Sequence, residues 1–188
     1  MAQLPSSVRP ATYADLLRLP EHVVGEIVGG ELVVSPRPAP RHAVASSALG
    51  GSLGPPYQSG RGGPGGWWIL DEPELHLGDD VLVPDLAGWR RTRMPVVPET
   101  AYFTLAPDWI CEVLSPGTAR LDRQRKLAIY AREGVSHAWL LDPIERTLER
   151  LRLEHGQWVI TGVHGGQDDV RAEPFDATSV ALADLWAD

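Results

Sequence analysis

Asp85 and Glu112 occupy positions where charge is costly. Asp85 directly follows the apolar run Val81-Leu82-Val83-Pro84, and Glu112 lies inside Trp109-Ile110-Cys111-Glu112-Val113-Leu114. An ionised carboxylate buried without a partner is strongly unfavourable, so an acid in such a run needs a cation. Two carboxylates on neighbouring strands can converge on a hard, oxygen-preferring ion such as Mg²⁺ or Mn²⁺. The same spacing also suits strand-end acids that face water or pair with arginine, and spacing alone does not separate the two.

Lys126 shifts that balance. Of the 17 basic residues, 16 are arginine and one is lysine. Arginine is planar and permanently charged, whereas a lysine ammonium is compact and its pKa is tunable. In a chain that uses arginine everywhere else, a lone lysine at 126 raises the question of why arginine was not used there. The pattern predicts a helix over about 119–133, with Thr118 as N-cap and Gly134 as its stop. On it Asp122, Lys126 and Tyr130 are four apart and share a face. A lysine facing the strand ends could orient or help deprotonate an attacking water and steady developing phosphate charge. A plain Asp122–Lys126 surface pair, worth ~0.2–0.5 kcal/mol, leaves the avoidance of arginine unexplained.

The elements that must hold these groups are legible in outline. Thr12, with Asp15 three residues on, opens a short helix. Residues 23–28 and 31–34 flank Gly29-Gly30 as a hairpin. Ser35 to Pro40 breaks the chain before a helix that runs from Arg41 or His42 to about Leu53. Residues 50–66, with eight glycines and three prolines, read as a loop, either a flap beside a site or a surface insertion. Strands are predicted over 67–70, 72–77, 81–83, 109–114, 135–141 and 148–153, with 158–160 pairing back. A strand and a short helix follow in 170–186. The expected fold is α/β (α+β), a mixed central sheet carrying Asp85 and Glu112, flanked by helices, with β-hairpins at the edges. It forms one domain over 1–188, with its core at about 12–186.

Composition bounds the function classes. The formal charge of −8 argues mildly against nucleic acid, because phosphate neutralisation supplies most non-specific affinity. A metal-dependent nuclease nevertheless concentrates acid at its site, and bound divalent ions reverse the local sign. The single cysteine, Cys111, excludes an internal disulfide framework and a multi-cysteine zinc site. On its apolar strand it reads as a small buried hydrophobe. The six histidines lack metal spacing, and Ser115 lacks the glycine-flanked elbow of a serine hydrolase. Arg90, Arg91 and Arg93 form the one basic cluster near Asp85, able to touch phosphates or simply to solvate a loop. No apolar run approaches the ~20 residues of a membrane span, and the opening MAQLPSSVRPAT has no basic-then-apolar signal pattern. A soluble cytoplasmic protein is expected.

Pro84-Asp85, then Glu112-Val113-Leu114-Ser115-Pro116-Gly117-Thr118, then Asp122, Lys126, Tyr130, Gly134-Val135, Trp139 and Asp142-Pro143 together resemble the Uma family. That family is a domain of unknown function, related to restriction endonucleases, within the PD-(D/E)XK nuclease superfamily. The Glu26 hairpin with Gly30-Glu31-Leu32-Val33-Val34-Ser35-Pro36, and His42 after it, are similar to its N-terminal block. The resemblance spans roughly residues 12 to 186 and implies a restriction-endonuclease-like fold. It implies that Asp85 is the Asp of the PD element, Glu112 the second metal-binding acid, and the Val113 main-chain carbonyl a further ligand. The superfamily places lysine two residues after the acid, where this chain has Leu114. In the family a lysine of the following helix takes that role, which Lys126 fits. Glu26 resembles an acid that some superfamily members supply from the N-terminal segment. His42, Asp122, Tyr130, Arg90 and Arg91 are candidates for substrate contact or support.

The expected activity is hydrolysis of DNA phosphodiesters with Mg²⁺ or Mn²⁺, by a homodimer if both strands of a duplex are cut. The alternatives are a catalytically inactive nuclease-fold binding or scaffold module, and a metal-dependent phosphohydrolase of a smaller substrate.

Overall fold

The computed structural model describes residues 9–187; residues 1–8 of the opening segment read for a signal lie outside it. The architecture is α+β, built on two main sheets. The first follows the short helix α1 (Tyr13–Leu16) and carries β1 (Val23–Val28), β2 (Glu31–Pro36), β4 (Leu75–Leu77) and β5 (Asp80–Leu82) in the order β2-β1-β5-β4. The second carries β3 (Trp67–Asp71), β6 (Leu86–Arg90), β7 (Trp109–Val113), β8 (His137–Asp142), β9 (Thr147–Glu154) and β10 (Gln157–Gly165), in the order β10-β9-β8-β7-β6-β3. All neighbours pair antiparallel except β7 and β8, which are parallel. Parallel neighbours cannot be joined by a tight hairpin. The chain between them accordingly rises into α3 (Ala119–Leu121), a π-helical turn (Asp122–Lys126) and α4 (Leu127–Arg132). This crossover puts Lys126 over the strand that carries Glu112.

Period-two alternation decides which face each residue of β7 serves. Trp109, Cys111 and Val113 enter one apolar cluster with Trp67, Trp139 and Phe175, packed under α2 (Pro40–Leu53) through Ala45, Leu49 and Leu53. Ile110 and Leu114 enter a second cluster with Val28, Leu82, Trp89, Leu127 and Tyr130, on the face of the smaller sheet and α4. Glu112 shares the parity of Ile110, so it points toward the smaller sheet and the crossover helix. Gly88 admits this packing: a Cβ there would lie 3.2 Å from the Trp109 ring. Cys111 is fully buried, and burial raises its thiol pKa well above the ordinary value.

Several boundaries differ from the sequence expectation, each for a packing reason. The predicted helix over 119–133 is interrupted by the wide turn at Asp122–Lys126, in which Leu127 N–H reaches back to Asp122 O. The glycine-rich stretch 50–66 is loop only beyond residue 58, because α2 continues into a second π-helical turn at Gly54–Gln58. That turn is held by Tyr57, whose buried hydroxyl donates to Phe175 O and accepts from Thr178 N–H at 3.0 Å. The predicted strand over 72–77 shortens to Leu75–Leu77, since Glu72 turns through a positive φ of 43°. The tail forms the pair β11 (Asp169–Val170) and β12 (Val180–Ala181), then a 3₁₀ turn at Leu182–Leu185. Among the described residues no helix is long and apolar enough to cross a membrane.

Replacing Tyr57 by Phe leaves the ring packing but strips the buried Phe175 carbonyl and the half-buried Thr178 N–H of their shared partner. The expected cost is about 1–3 kcal/mol, read as a lower urea midpoint with an unchanged m-value.

Candidate active site

Four elements deliver the polar residues to one cleft. Glu26 comes from β1, in a hairpin whose turn is tied to β5 by Gly29 N–H donating to Asp80 Oδ1 at 2.5 Å. Asp85 sits in the short connection between β5 and β6. Glu112 is the penultimate residue of β7. Lys126 closes the π-helical turn, and Tyr130 follows one turn later on α4.

The centre of the arrangement is the Lys126 ammonium. Its Nζ lies 2.9 Å from Glu26 Oε1 and 2.9 Å from Glu112 Oε1, with Asp122 Oδ1 at 3.8 Å and Val83 O at 3.4 Å. Only 3% of the Lys126 side chain is exposed, against 7% for Glu26, 3% for Glu112 and 5% for Asp122. Glu26 Oε1 also accepts Val83 N–H at 2.8 Å, and Tyr130 donates its hydroxyl to Glu112 Oε1 at 2.7 Å. Asp85 is fixed on both oxygens, Oδ2 accepting Val113 N–H at 2.7 Å and Oδ1 lying 3.1 Å from His42 Nε2. The structure thus brings Glu26, His42, Asp85, Glu112, Val113, Asp122, Lys126 and Tyr130 into one cluster.

The titration of these groups follows from burial and from a shortage of cations. Burial pushes the Glu112 carboxyl well up; Asp122, Asp85 and Glu26 add to the rise and Lys126 opposes it. Asp122 is raised by burial against the pull of Lys126 and of the Thr118 hydroxyl. Burial disfavours the Lys126 ammonium, but Glu112, Tyr130, Glu26 and Asp122 outweigh it and hold the lysine charged well above its ordinary range. His42 loses by burial and gains more from Asp85, for a net rise. One ammonium therefore serves several carboxylates, and the cluster is short of positive charge.

Whether a divalent ion fits is a question of donor chemistry. Among the described residues no three His, Cys, Asp or Glu side chains converge as a ready-made metal cage. Mg²⁺ does not need one; it is commonly held by one or two carboxylates, with waters and substrate phosphate completing the shell. Asp85 and Glu112 are hard oxygen donors lining the same cleft. Glu112 Oε2 accepts no hydrogen bond among the described residues, since both its partners fall on Oε1. The residues present fit such an ion.

The cleft has a volume of about 370 Å³. The β1–β2 hairpin and the proline-rich chain 36–39 form one wall, and Ser115, Gly117 and Thr118 form another. Loop 59–66, part of the stretch read as either a flap or a surface insertion, does not line it. Arg90 and Arg91 do not reach it either. They lie at the far end of β6, which at about 3.3 Å per residue carries them some 16 Å from Asp85. Arg90 N–H donates to Asp108 Oδ2 and its guanidinium lies 4.6 Å over Trp67. Arg91 donates to the Trp67 and Gln58 carbonyls and lies 3.8 Å over Trp68. Both are spent on packing. Sequence reasoning missed Glu72 and Arg37, which also line the cleft. Glu72 N–H donates to Asp85 O at 3.0 Å. No sequence signal marks it: a residue before proline favours extended backbone, not the turn that Glu72 makes.

Removing Lys126 tests how far the cluster depends on it. Lys126→Met strands two buried carboxylates and is expected to destabilise the fold by about 3–5 kcal/mol. Adding Glu26→Gln should recover part of that loss, giving a double variant less unstable than the sum of the singles in chemical denaturation.

Comparisons with known proteins bear on the fold and the family of the chain. No curated protein matches the chain. The solved structure of a protein described as a "putative nuclease belonging to DUF820", from Anabaena variabilis ATCC 29413, superposes with a TM-score of 0.76 at 24% identity. The match covers 94% of this chain and 98% of that one, which establishes the fold as shared. A family model named Uma2 and described as "Putative restriction endonuclease" matches residues 12–183. Spanning nearly the whole chain and every residue of the cluster around Lys126, that match shows that the protein belongs to the Uma2 family.

Proposed function

We propose that this protein is a metal-dependent endonuclease that hydrolyses phosphodiester bonds in DNA. The observation that carries the proposal is one cleft lined by Asp85, Glu112 and Lys126, in a chain of a nuclease-related family. Asp85 and Glu112, with the Val113 main-chain carbonyl, would hold Mg²⁺ or Mn²⁺. Such an ion supplies Lewis-acid polarisation of the phosphate and eases deprotonation of water. Lys126 is held charged by its acidic neighbours, so it acts as an electrostatic clamp that orients water and steadies charge developing on the phosphate. Glu26 anchors Lys126 and would be a third carboxylate available to such an ion. Tyr130 fixes the Glu112 oxygen that faces Lys126, leaving the other available to a ligand, and His42 holds Asp85.

One observation favours a second reading, a nuclease-fold scaffold without chemistry: Lys126 already lies within salt-bridge distance of two carboxylates with no ion required. Calorimetric titration with MnCl₂, run beside cleavage of plasmid and single-stranded DNA, separates the two. The expected result is metal uptake and metal-dependent cleavage by wild type, both lost in Asp85→Asn and Glu112→Gln, with cleavage lost in Lys126→Ala. Cleavage surviving in either acid variant overturns the site. Absence of both metal uptake and cleavage in folded wild type establishes the scaffold, and metal-dependent turnover of only a small phosphodiester moves the substrate away from DNA.

A further inference from the structure

We infer that the cleft takes a single, unpaired DNA strand in preference to a duplex. The inference rests on the nuclease reading of the site and names its substrate class more narrowly. Three observations converge on it.

The first is access. The groups that would do the chemistry are recessed: Lys126 and Glu112 are 2% exposed and Glu26 is 5%. The cleft above them, about 370 Å³, is at the low end of the ~300–1,000 Å³ typical of small-ligand pockets. That is the scale of a nucleotide unit and its phosphate, not of a double helix. A smaller groove of about 230 Å³ shares His42, Glu72, Asp85 and Pro38 with the cleft and continues along α2 past Ser46 and Ser47. Together they form a narrow path that one extended strand can follow.

The second is charge. A duplex carries one negative charge per about 1.7 Å of axis, twice the density of one strand. The cleft lining offers Glu26, Glu72, Asp85, Glu112 and Asp122 against Lys126 and Arg37. Glu26, Glu112 and Asp122 are buried around Lys126, and at the mouth the exposed Glu72 opposes Arg37, so the lining offers a duplex no net positive charge.

The third is the condition of the arginines. A duplex binder presents them as a free stripe. Here at least half of the sixteen lie within 4.0 Å of a carboxylate, and Arg91 is committed to main-chain carbonyls. Near the cleft, Arg37 and Arg41 are exposed; Arg37 gives one nitrogen to the Glu21 carbonyl and keeps the rest of its guanidinium open, which leaves about two phosphate contacts.

Gly117 provides the test of location. It lines the cleft mouth, and a Cβ there would meet only Ser115 Oγ, at 3.9 Å. Gly117→Trp should therefore fold normally and obstruct the path. Binding of a labelled short oligonucleotide is measured by fluorescence anisotropy in CaCl₂, as single strand and as duplex, for wild type and Gly117→Trp. Cleavage of the same probes with MgCl₂ or MnCl₂ is run in parallel. The single strand is expected to bind roughly tenfold more tightly, a difference of about 1.4 kcal/mol, and Gly117→Trp should weaken that binding without lowering the melting temperature. The slope of log affinity against log salt should be about −1.4, for two contacts on a single strand; a duplex binder neutralising six or more phosphates would give about −5 or steeper. Duplex bound as tightly as single strand, no binding of either, or single-strand binding indifferent to Gly117→Trp overturns the inference. Selective single-strand binding without cleavage in either metal sustains it and removes the nuclease reading instead.

Discussion

A single ammonium group, buried and shared between two carboxylates that the sequence places far apart, holds this protein's candidate site together. Glu26 belongs to the smaller sheet and Glu112 to the larger one, and Lys126 lies 2.9 Å from an oxygen of each. Desolvating three ionised groups is costly, and the cost is offset only while all three stay in register. Much of the surrounding architecture can be understood as serving that register. Val83 offers both its N–H and its carbonyl, Tyr130 donates to the shared Glu112 oxygen, and the Gly29–Asp80 bond pins the hairpin that carries Glu26. Each of these contacts is local, but together they bring three remote segments to one point.

The same constraint explains why the cluster looks like a site and not merely a buried salt bridge. A purely structural pair would balance its charges. Here acids outnumber the cation, burial raises both Glu112 and Asp122, and one Glu112 oxygen carries no hydrogen bond among the described residues. Unbalanced, deeply buried charge beside a cleft is a common signature of functional sites. The excess is the one that a divalent ion would relieve.

How much of this was legible beforehand depended on whether the signal was chemical or geometric. The identity of Lys126 stood out because the rest of the chain avoids lysine, and Glu112 stood out because an acid inside an apolar strand needs an explanation. The hairpin around Gly29-Gly30 and the helix after Pro40 followed from turn chemistry and spacing. What the sequence could not convey was three-dimensional closure. Strands β1, β2, β4 and β5 form their own sheet while β3, between them in the chain, joins the larger one; the two hairpins meet through the pairing of Ile27 with Val81, and no periodicity announces such a pairing. The wide turn at Asp122–Lys126 was invisible because its residues fit an ordinary helix equally well. Proximity in sequence misled in the opposite direction: Arg90 and Arg91 are close to Asp85 in number, but an extended strand carries them away from it. The glycine-rich stretch read as loop because glycine and proline dominate its composition, whereas the burial of Leu53 and Tyr57 decides its conformation.

The hundred residues between Glu26 and Lys126 also bear on the order of events during synthesis. Contacts of such long sequence separation close late, after the local hairpins and helices that frame them. A nascent chain that has formed its N-terminal hairpin, or even β7, still lacks the lysine that joins them. The cluster around Lys126 would consequently be absent from every partial product of translation that ends before the crossover helix, coming into being only when that helix has docked.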